Sequence, residues 1–188
     1  FMAPPSHGFR QLRDAVLSLS LSEAFVRPLF HWRTSRPHHY EDSRLNSRDD
    51  DNAAFTSGPA NGSPPVNARL GDDDFLLDHL GGGFDLLWFG GKDALPAALQ
   101  ATIREARSRG LPLRVTAIGS AGPVVGADAS LADRESHCRS RYGVTTDGAA
   151  YLLRPDQHVC ARWQTLDAER LGRTLVDLAT SASSGTSS

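Results

Sequence analysis

Cys138 and Cys160 are the residues of this chain best suited to nucleophilic or redox chemistry, and they are its only cysteines. They lie far apart and form no Cys-x-x-Cys, the spacing that sets a reactive thiol beside its resolving partner. The spacing supports two free thiols in a reducing cytosol, with a structural disulfide as the alternative. Cys138 is expected on a helix and Cys160 in a strand, with Cys160 packing as a small apolar side chain. His31, His38 and His39 stand near Tyr40, Glu41 and Asp42, but no spacing there matches a zinc site and no i, i+4 pair shares a helix face. They read as solvated linker or interface residues. Ser120 lies in Gly119-Ser-Ala-Gly122, which lacks the Gly-x-Ser-x-Gly elbow. The acidic runs Asp49 to Asp51 and Asp72 to Asp74 lack an ordered scaffold and read as solvated charge. Gly81, Gly82 and Gly83 fail as a dinucleotide loop: the third fingerprint position is Leu86, and a strand rather than a helix follows. No catalytic, cofactor-binding or metal-ligating residue is assigned.

The length of the chain leaves room for one domain of ordinary size. The 188 residues are 39% hydrophobic, with 17 Gly and 11 Pro, which points to a real core with much loop. A net charge of −2 gives no electrostatic reason to expect nucleic acid or an anionic membrane. Basic charge is almost all Arg, with Lys92 the only lysine. No apolar run reaches the roughly 18 residues that span a bilayer.

Phe1 to Pro5 is expected to be irregular. Phe9, Leu12, Val16 and Leu19 then recur on one face of a helix to Leu21, with Arg10, Arg13 and Asp14 towards solvent. A lone amphipathic helix of this length is marginal in water and needs a partner surface. A second short helix is expected over Ser22 to Phe30, interrupted by Pro28. Residues 31–68 show no sustained period and read as a long linker wrapped over a neighbouring surface, which places a domain boundary there. Phe75, Leu76, Leu77 and Leu80 form a short apolar piece. Phe84 to Phe89 is a buried strand. Asp93 is expected to cap a helix to Arg109, with Leu95, Leu99 and Ile103 on one stripe and Gly110 as its stop. Leu113 to Ile118 is the next strand and Gly119 to Ala129 a loop. Ser130 with Asp133 suggests a capping box opening a helix to Tyr142, ended by Gly143.

A hairpin follows over Tyr151 to Trp163. Pro155 presets the first central position of a type I turn, and Asp156 suits the second. Val159, Ala161 and Trp163 alternate with His158, Cys160 and Arg162, as in a strand with one buried face. Thr165 is expected to cap a last helix, on which Leu171, Leu175 and Leu178 share a face. The tail from residue 182 is expected to be disordered. The fold class is therefore α/β, with the order β-α-β-α-β-β-α from Phe84.

That order is the order of a thioredoxin-like domain. The stretch Tyr151-Leu-Leu-Arg-Pro-Asp-Gln-His-Val-Cys-Ala-Arg-Trp163 resembles the signature hairpin near the C-terminus of the FAD-dependent aromatic hydroxylases, in the phenol hydroxylase and 3-(3-hydroxyphenyl)propionate hydroxylase group. Pro4-Pro5-Ser-His-Gly8 and Phe9 to Leu17 resemble the segment leading into the closing helices of that family's flavin domain. The resemblance implies closing helices over 1–30, a linker over 31–68, a thioredoxin-like domain over 69–181 and a tail over 182–188. It implies FAD and NAD(P)H for the parent enzyme, where a flavin hydroperoxide hydroxylates an aromatic ring. The family's flavin and catalytic motifs precede the point where this sequence starts. Gly71-Asp72 is similar to the family's ribityl-binding pair, but Asp73-Asp74-Phe75 follows instead of Ala-Ala-His, so the match is rejected. Where a thioredoxin carries its redox cysteines, this chain has Gly90-Gly91-Lys92-Asp93, so thiol-disulfide exchange is not expected. The implied partner is the missing flavin domain or a second subunit, in the cytoplasm. The alternative is a free-standing, redox-inactive thioredoxin-like binding module.

Overall fold

The computed structural model describes residues 6–23, 38–48, 51–90 and 93–184. The chain divides into two compact units, Phe1–Pro37 and His38–Ser188.

In the first unit, helix α1 (His7–Ser22) begins where Ser6 Oγ accepts from the backbone N–H of Phe9 at 3.4 Å. Its expected apolar face is present and faces water: Phe9 is 57% exposed and Leu12 58%. Phe1 to Pro5, residues 24–30 of the expected second helix and His31 lie outside the described residues.

The second unit is built on a five-stranded mixed sheet. Its strands are β3 (Phe84–Phe89), β4 (Leu113–Ile118), β5 (Ala129–Leu131), β6 (Ala149–Leu153) and β7 (Val159–Trp163), in the order β5-β4-β3-β6-β7. β3, β4 and β5 are mutually parallel; β6 is antiparallel to β3 and to β7. The joining helix α2 (Ala97–Ser108) lies between the parallel strands β3 and β4 in sequence, as a βαβ crossover requires. A separate small hairpin, β1 (Arg69–Gly71) with β2 (Asp74–Phe75), precedes a 3-10 turn over Leu76–His79.

Strand alternation divides the core between the two sheet faces. On one face Leu86, Trp88, Val115, Ala117 and Leu152 meet Leu99 and Ile103 of α2 and Leu171, Leu175 and Leu178 of helix α4 (Ala168–Ser184). On the other, Leu87, Phe89, Ile118, Tyr151 and Leu153 meet Leu76, Phe55 and the short helix α3 (His137–Arg141), through Cys138 and the adjoining Tyr142.

The expected β-α-β-α-β-β-α order is present, with β5 added. β3 and β4 occupy the expected residues, and the expected stripes of α2 and α4 are buried. Several expected details differ. Asp93 caps nothing: its carbonyl accepts from Val125 N at 2.8 Å and α2 starts later, after Pro96. Ser130 lies in β5, and its hydroxyl accepts from Val124 N at 3.0 Å. Asp133 alone serves the start of α3, accepting from Cys138 N at 3.1 Å and Arg139 N at 2.9 Å. Asp167, not Thr165, opens α4, accepting from Arg170 N at 2.8 Å. That helix continues to Ser184, into the stretch expected as a disordered tail; residues 185–188 lie outside the described residues. Asp72 and Asp74 are built into the β1–β2 hairpin, paired with Arg69 and His79.

From His38 onward, the stretch expected as a linker belongs to the compact unit that also carries the sheet.

Candidate functional site at the hairpin and its strap

The β6–β7 hairpin turns as its residues dictate. Gln157 N donates to Arg154 O at 2.9 Å, closing a four-residue turn with Pro155 and Asp156 at its centre. Gln157 then takes a left-handed conformation, φ 57°, and Arg154 N donates to His158 O at 2.9 Å. Cys160 is the extra residue of a bulge, since Leu152 pairs with Ala161 and Leu153 with Val159.

Residues 38–48 and 51–66 form a strap along the outer edge of β7. Ser47 N donates to Cys160 O, Asp51 N to Arg162 O, Gly62 N to Val159 O and Val159 N to Ser63 O, all at 2.8–2.9 Å. An exposed edge strand is thereby paired and covered. The strap corrects the expectation of one buried face on β7: all five of its residues are buried. The bulge and the strap together give Cys160, Ala161 and Trp163 to one core and Val159 to the other.

Three arginines hold the strap. Arg154, 4% exposed, forks onto the Asp156 carboxylate at 3.0 and 2.7 Å, and its remaining amino group donates to Ser43 Oγ at 3.2 Å and Asn46 Oδ1 at 3.3 Å. The Arg154 fork, outweighing burial, holds the Asp156 carboxyl below the usual range. Arg170 of α4 binds both oxygens of Asp51, at 3.0 and 2.9 Å. Burial acts to raise the Asp51 pKa, but Arg170 and the N–H of Gln164 more than offset it, and the pKa lies below the usual value. Arg162 lies over the Phe55 ring, 4.6 Å from its centroid, and donates to Ser57 O at 3.2 Å and Gly58 O at 3.3 Å. Beneath this, Tyr151 donates to Tyr142 O and Tyr142 to Val66 O, and their rings meet edge to face, 4.9 Å between centroids. Burial raises both phenols, Tyr151 to about 12.

The remaining residues singled out in the sequence do not converge. Cys138 is fully buried, and burial together with Asp133 raises its thiol far from ionisation. Cys160 is also buried and its thiol donates to Leu45 O at 3.1 Å; both cysteines are free. Ser120 Oγ donates to Gly122 O at 2.9 Å. His39 bonds Asn61 O at 3.0 Å and reaches Glu41 at 3.2 Å, while the rings of His38 and His158 flank Tyr40. No group of three candidate metal ligands occurs among the described residues. Gly91, Lys92, Asp49 and Asp50 lie outside the described residues.

A Cβ on Gly83 would stand 2.5 Å from Pro112 O, so this glycine admits the backbone that leads into β4, and a strand rather than a helix N-terminus follows the three glycines. A groove of about 760 Å³ between the strap and α4 is lined by charged residues of both signs, among them Glu41, Asp42, Arg44, Arg48 and Asp177, together with Leu178. The arrangement fastens a strap to a sheet edge. The Arg154-Pro155-Asp156 signal is legible in the sequence; Phe55 and Arg170, which complete it, are not singled out there, and Asp51, expected as solvated charge, is bound to Arg170 instead.

No family model matches the chain, and no curated protein matches its sequence. Solved structures do. The flavin-dependent monooxygenase PieE, solved with FAD and substrate, is 21% identical with a TM-score of 0.56; the match covers 94% of this chain and 30% of PieE. The substrate-free rebeccamycin biosynthetic enzyme RebC is 22% identical with a TM-score of 0.55, covering 93% of this chain and 28% of RebC. Aklavinone-11 hydroxylase, solved with FAD and aklavinone, is 28% identical with a TM-score of 0.53, covering 76% and 26%. No helix among the described residues is long and apolar enough to cross a membrane. The chain thus has the fold of one part, somewhat over a quarter of the length, of flavin-dependent monooxygenases.

Proposed function

We propose that this chain is the C-terminal region of an FAD-dependent, NAD(P)H-using monooxygenase that hydroxylates an aromatic ring, and that its role there is structural. The observation that carries this reading is the pattern of coverage: nearly all of this chain aligns with 28–30% of PieE and RebC. In the whole enzyme the flavin supplies the oxygen chemistry. The α/β unit, thioredoxin-like in its order of elements, covers the flavin domain or joins two subunits. The exposed stripe of α1 docks on the flavin domain or on a second subunit. Within the wider class, the Arg154-Pro155-Asp156 turn favours the phenol hydroxylase and 3-(3-hydroxyphenyl)propionate hydroxylase group. Two buried free thiols favour a reducing, cytoplasmic setting.

A chimera tests this. This chain replaces the matching region of PieE, and FAD retention and NAD(P)H oxidation are measured. A soluble chimera that holds FAD and oxidises NAD(P)H is the expected result. A chimera that loses FAD while this chain folds well by itself would count against the reading. A second reading, a free-standing redox-inactive binding module, draws on the complete two-faced core of the His38–Ser188 unit. It predicts a monodisperse chain with a single cooperative melt and no surface that binds apolar dyes.

A further inference from the structure

Asp85 on β3 and Arg114 on β4 are register partners on adjacent parallel strands. Opposite charges at such positions ordinarily pair. Here they do not. Arg114 Nη1 donates to the carbonyl of His79 at 2.7 Å, at the end of the 3-10 turn. Asp85, 2% exposed, accepts from Gly81 N at 2.9 Å through Oδ2, while its buried Oδ1 has no hydrogen-bond partner among the described residues. A carboxyl group left half-satisfied in a core, beside a register partner whose guanidinium is bonded elsewhere, is a group with two arrangements available.

We propose that Asp85 and Arg114 form a proton-operated switch on the 76–83 turn. With Asp85 neutral, Arg114 holds the His79 carbonyl and fastens the turn. When Asp85 loses its proton to solvent, Arg114 swings to the new carboxylate and releases that carbonyl. Burial favours the neutral acid, and the Gly81 N–H and Arg114 oppose it, with a net shift upward. The other charged groups around Asp85 are few. From the turn side stand His79, paired with Asp74, and the exposed Asp78; from α2 and the loop before β5 comes the Arg107–Asp128 pair, which lines the same 420 Å³ hollow. What the switch controls is the cover of one core: Leu76, fully buried, sits in the turn against the face that carries Leu87 and Leu153.

The test is an NMR titration of the full chain over about pH 4 to 8, following the Asp85 carboxyl carbon, the Arg114 side-chain nitrogens and exchange of the Leu80 amide, which bonds Leu77 O. The expected result is a shared midpoint for Asp85 and Arg114, above the ordinary carboxylate range. Leu80 exchange, corrected for its intrinsic pH dependence, rises about tenfold on the alkaline side. Asp85→Asn is expected to hold the slow-exchange state at every pH. Arg114 signals that stay flat through the Asp85 titration overturn the proposal, as does an Asp85→Asn variant that keeps the pH-dependent exchange. Should that variant not fold, Arg114→Gln serves: fast Leu80 exchange at both pH extremes is expected, and wild-type behaviour overturns the switch.

Discussion

Arg154 binds Asp156, two residues along the same hairpin, through two parallel hydrogen bonds of 3.0 and 2.7 Å, and the same guanidinium reaches Ser43 and Asn46 of the strap. One planar cation thus fixes both the turn and the segment that covers the sheet edge. Arg154→Lys keeps the charge and loses the fork, and is expected to destabilise the chain by about 2 kcal/mol. Asp156→Asn, at a half-exposed carboxylate, is expected to cost about 1 kcal/mol. Urea denaturation read by far-UV circular dichroism checks both.

Gly58 marks where the strap meets the inner core. Its φ is +85°, and a Cβ there would lie 2.5 Å from Tyr142 O and 2.7 Å from the Tyr151 hydroxyl. Gly58→Ala combines backbone strain with a clash against rigid neighbours. A loss of about 3 kcal/mol is expected, seen as a lower thermal midpoint, whereas Gly82→Ala, with nothing within 4 Å, is expected to be close to neutral.

The carboxylates predict opposite pH dependences. The folded-state pKa values of Asp51 and Asp156 lie below the ordinary aspartate value, so their contribution is present above that value and is lost as pH falls through the folded pKa. The Asp85 pKa is raised, so its contribution is present below the unfolded value and is lost as pH rises through the folded pKa. Asp51→Asn is therefore expected to flatten the acid limb of a stability–pH profile, and Asp85→Asn to flatten the fall just above it. Urea midpoints collected across pH for the three proteins check the signs.

How much of this could be read in the sequence depended on the range of the interaction. β3 and β4 stood out because each is a short apolar run bounded by Gly or Pro, and the α2 and α4 stripes because burial follows the helical period. The hairpin turn was legible because Pro155 acts on its own backbone. β5 was not, since three half-buried residues carry no alternation. The helix starts were misassigned where more than one polar residue could cap: Asp133 prevails over Ser130, and Asp167 over Thr165. The strap was invisible as packed structure. Its buried apolar anchors are sparse, Phe55 and Pro59 among the described residues, and its polar anchors, such as Asp51 with Arg170, join residues over a hundred positions apart.

The α1 stripe carries the docking part of the proposed function. Phe9→Ser combined with Leu12→Ser is expected to lower the binding of an apolar fluorescent dye to the isolated chain. These are exposed positions, so the melting midpoint should barely change. In the chimera with PieE, the same pair of substitutions is expected to weaken FAD retention severalfold.

The central claim is that this chain is a structural part of a flavin enzyme and does not itself hold the flavin. It is tested most directly by the visible absorbance spectrum of the purified chain after incubation with FAD and desalting. The account predicts no retained flavin band. A band at near-stoichiometric amount would contradict it, because it would show a flavin site within these residues.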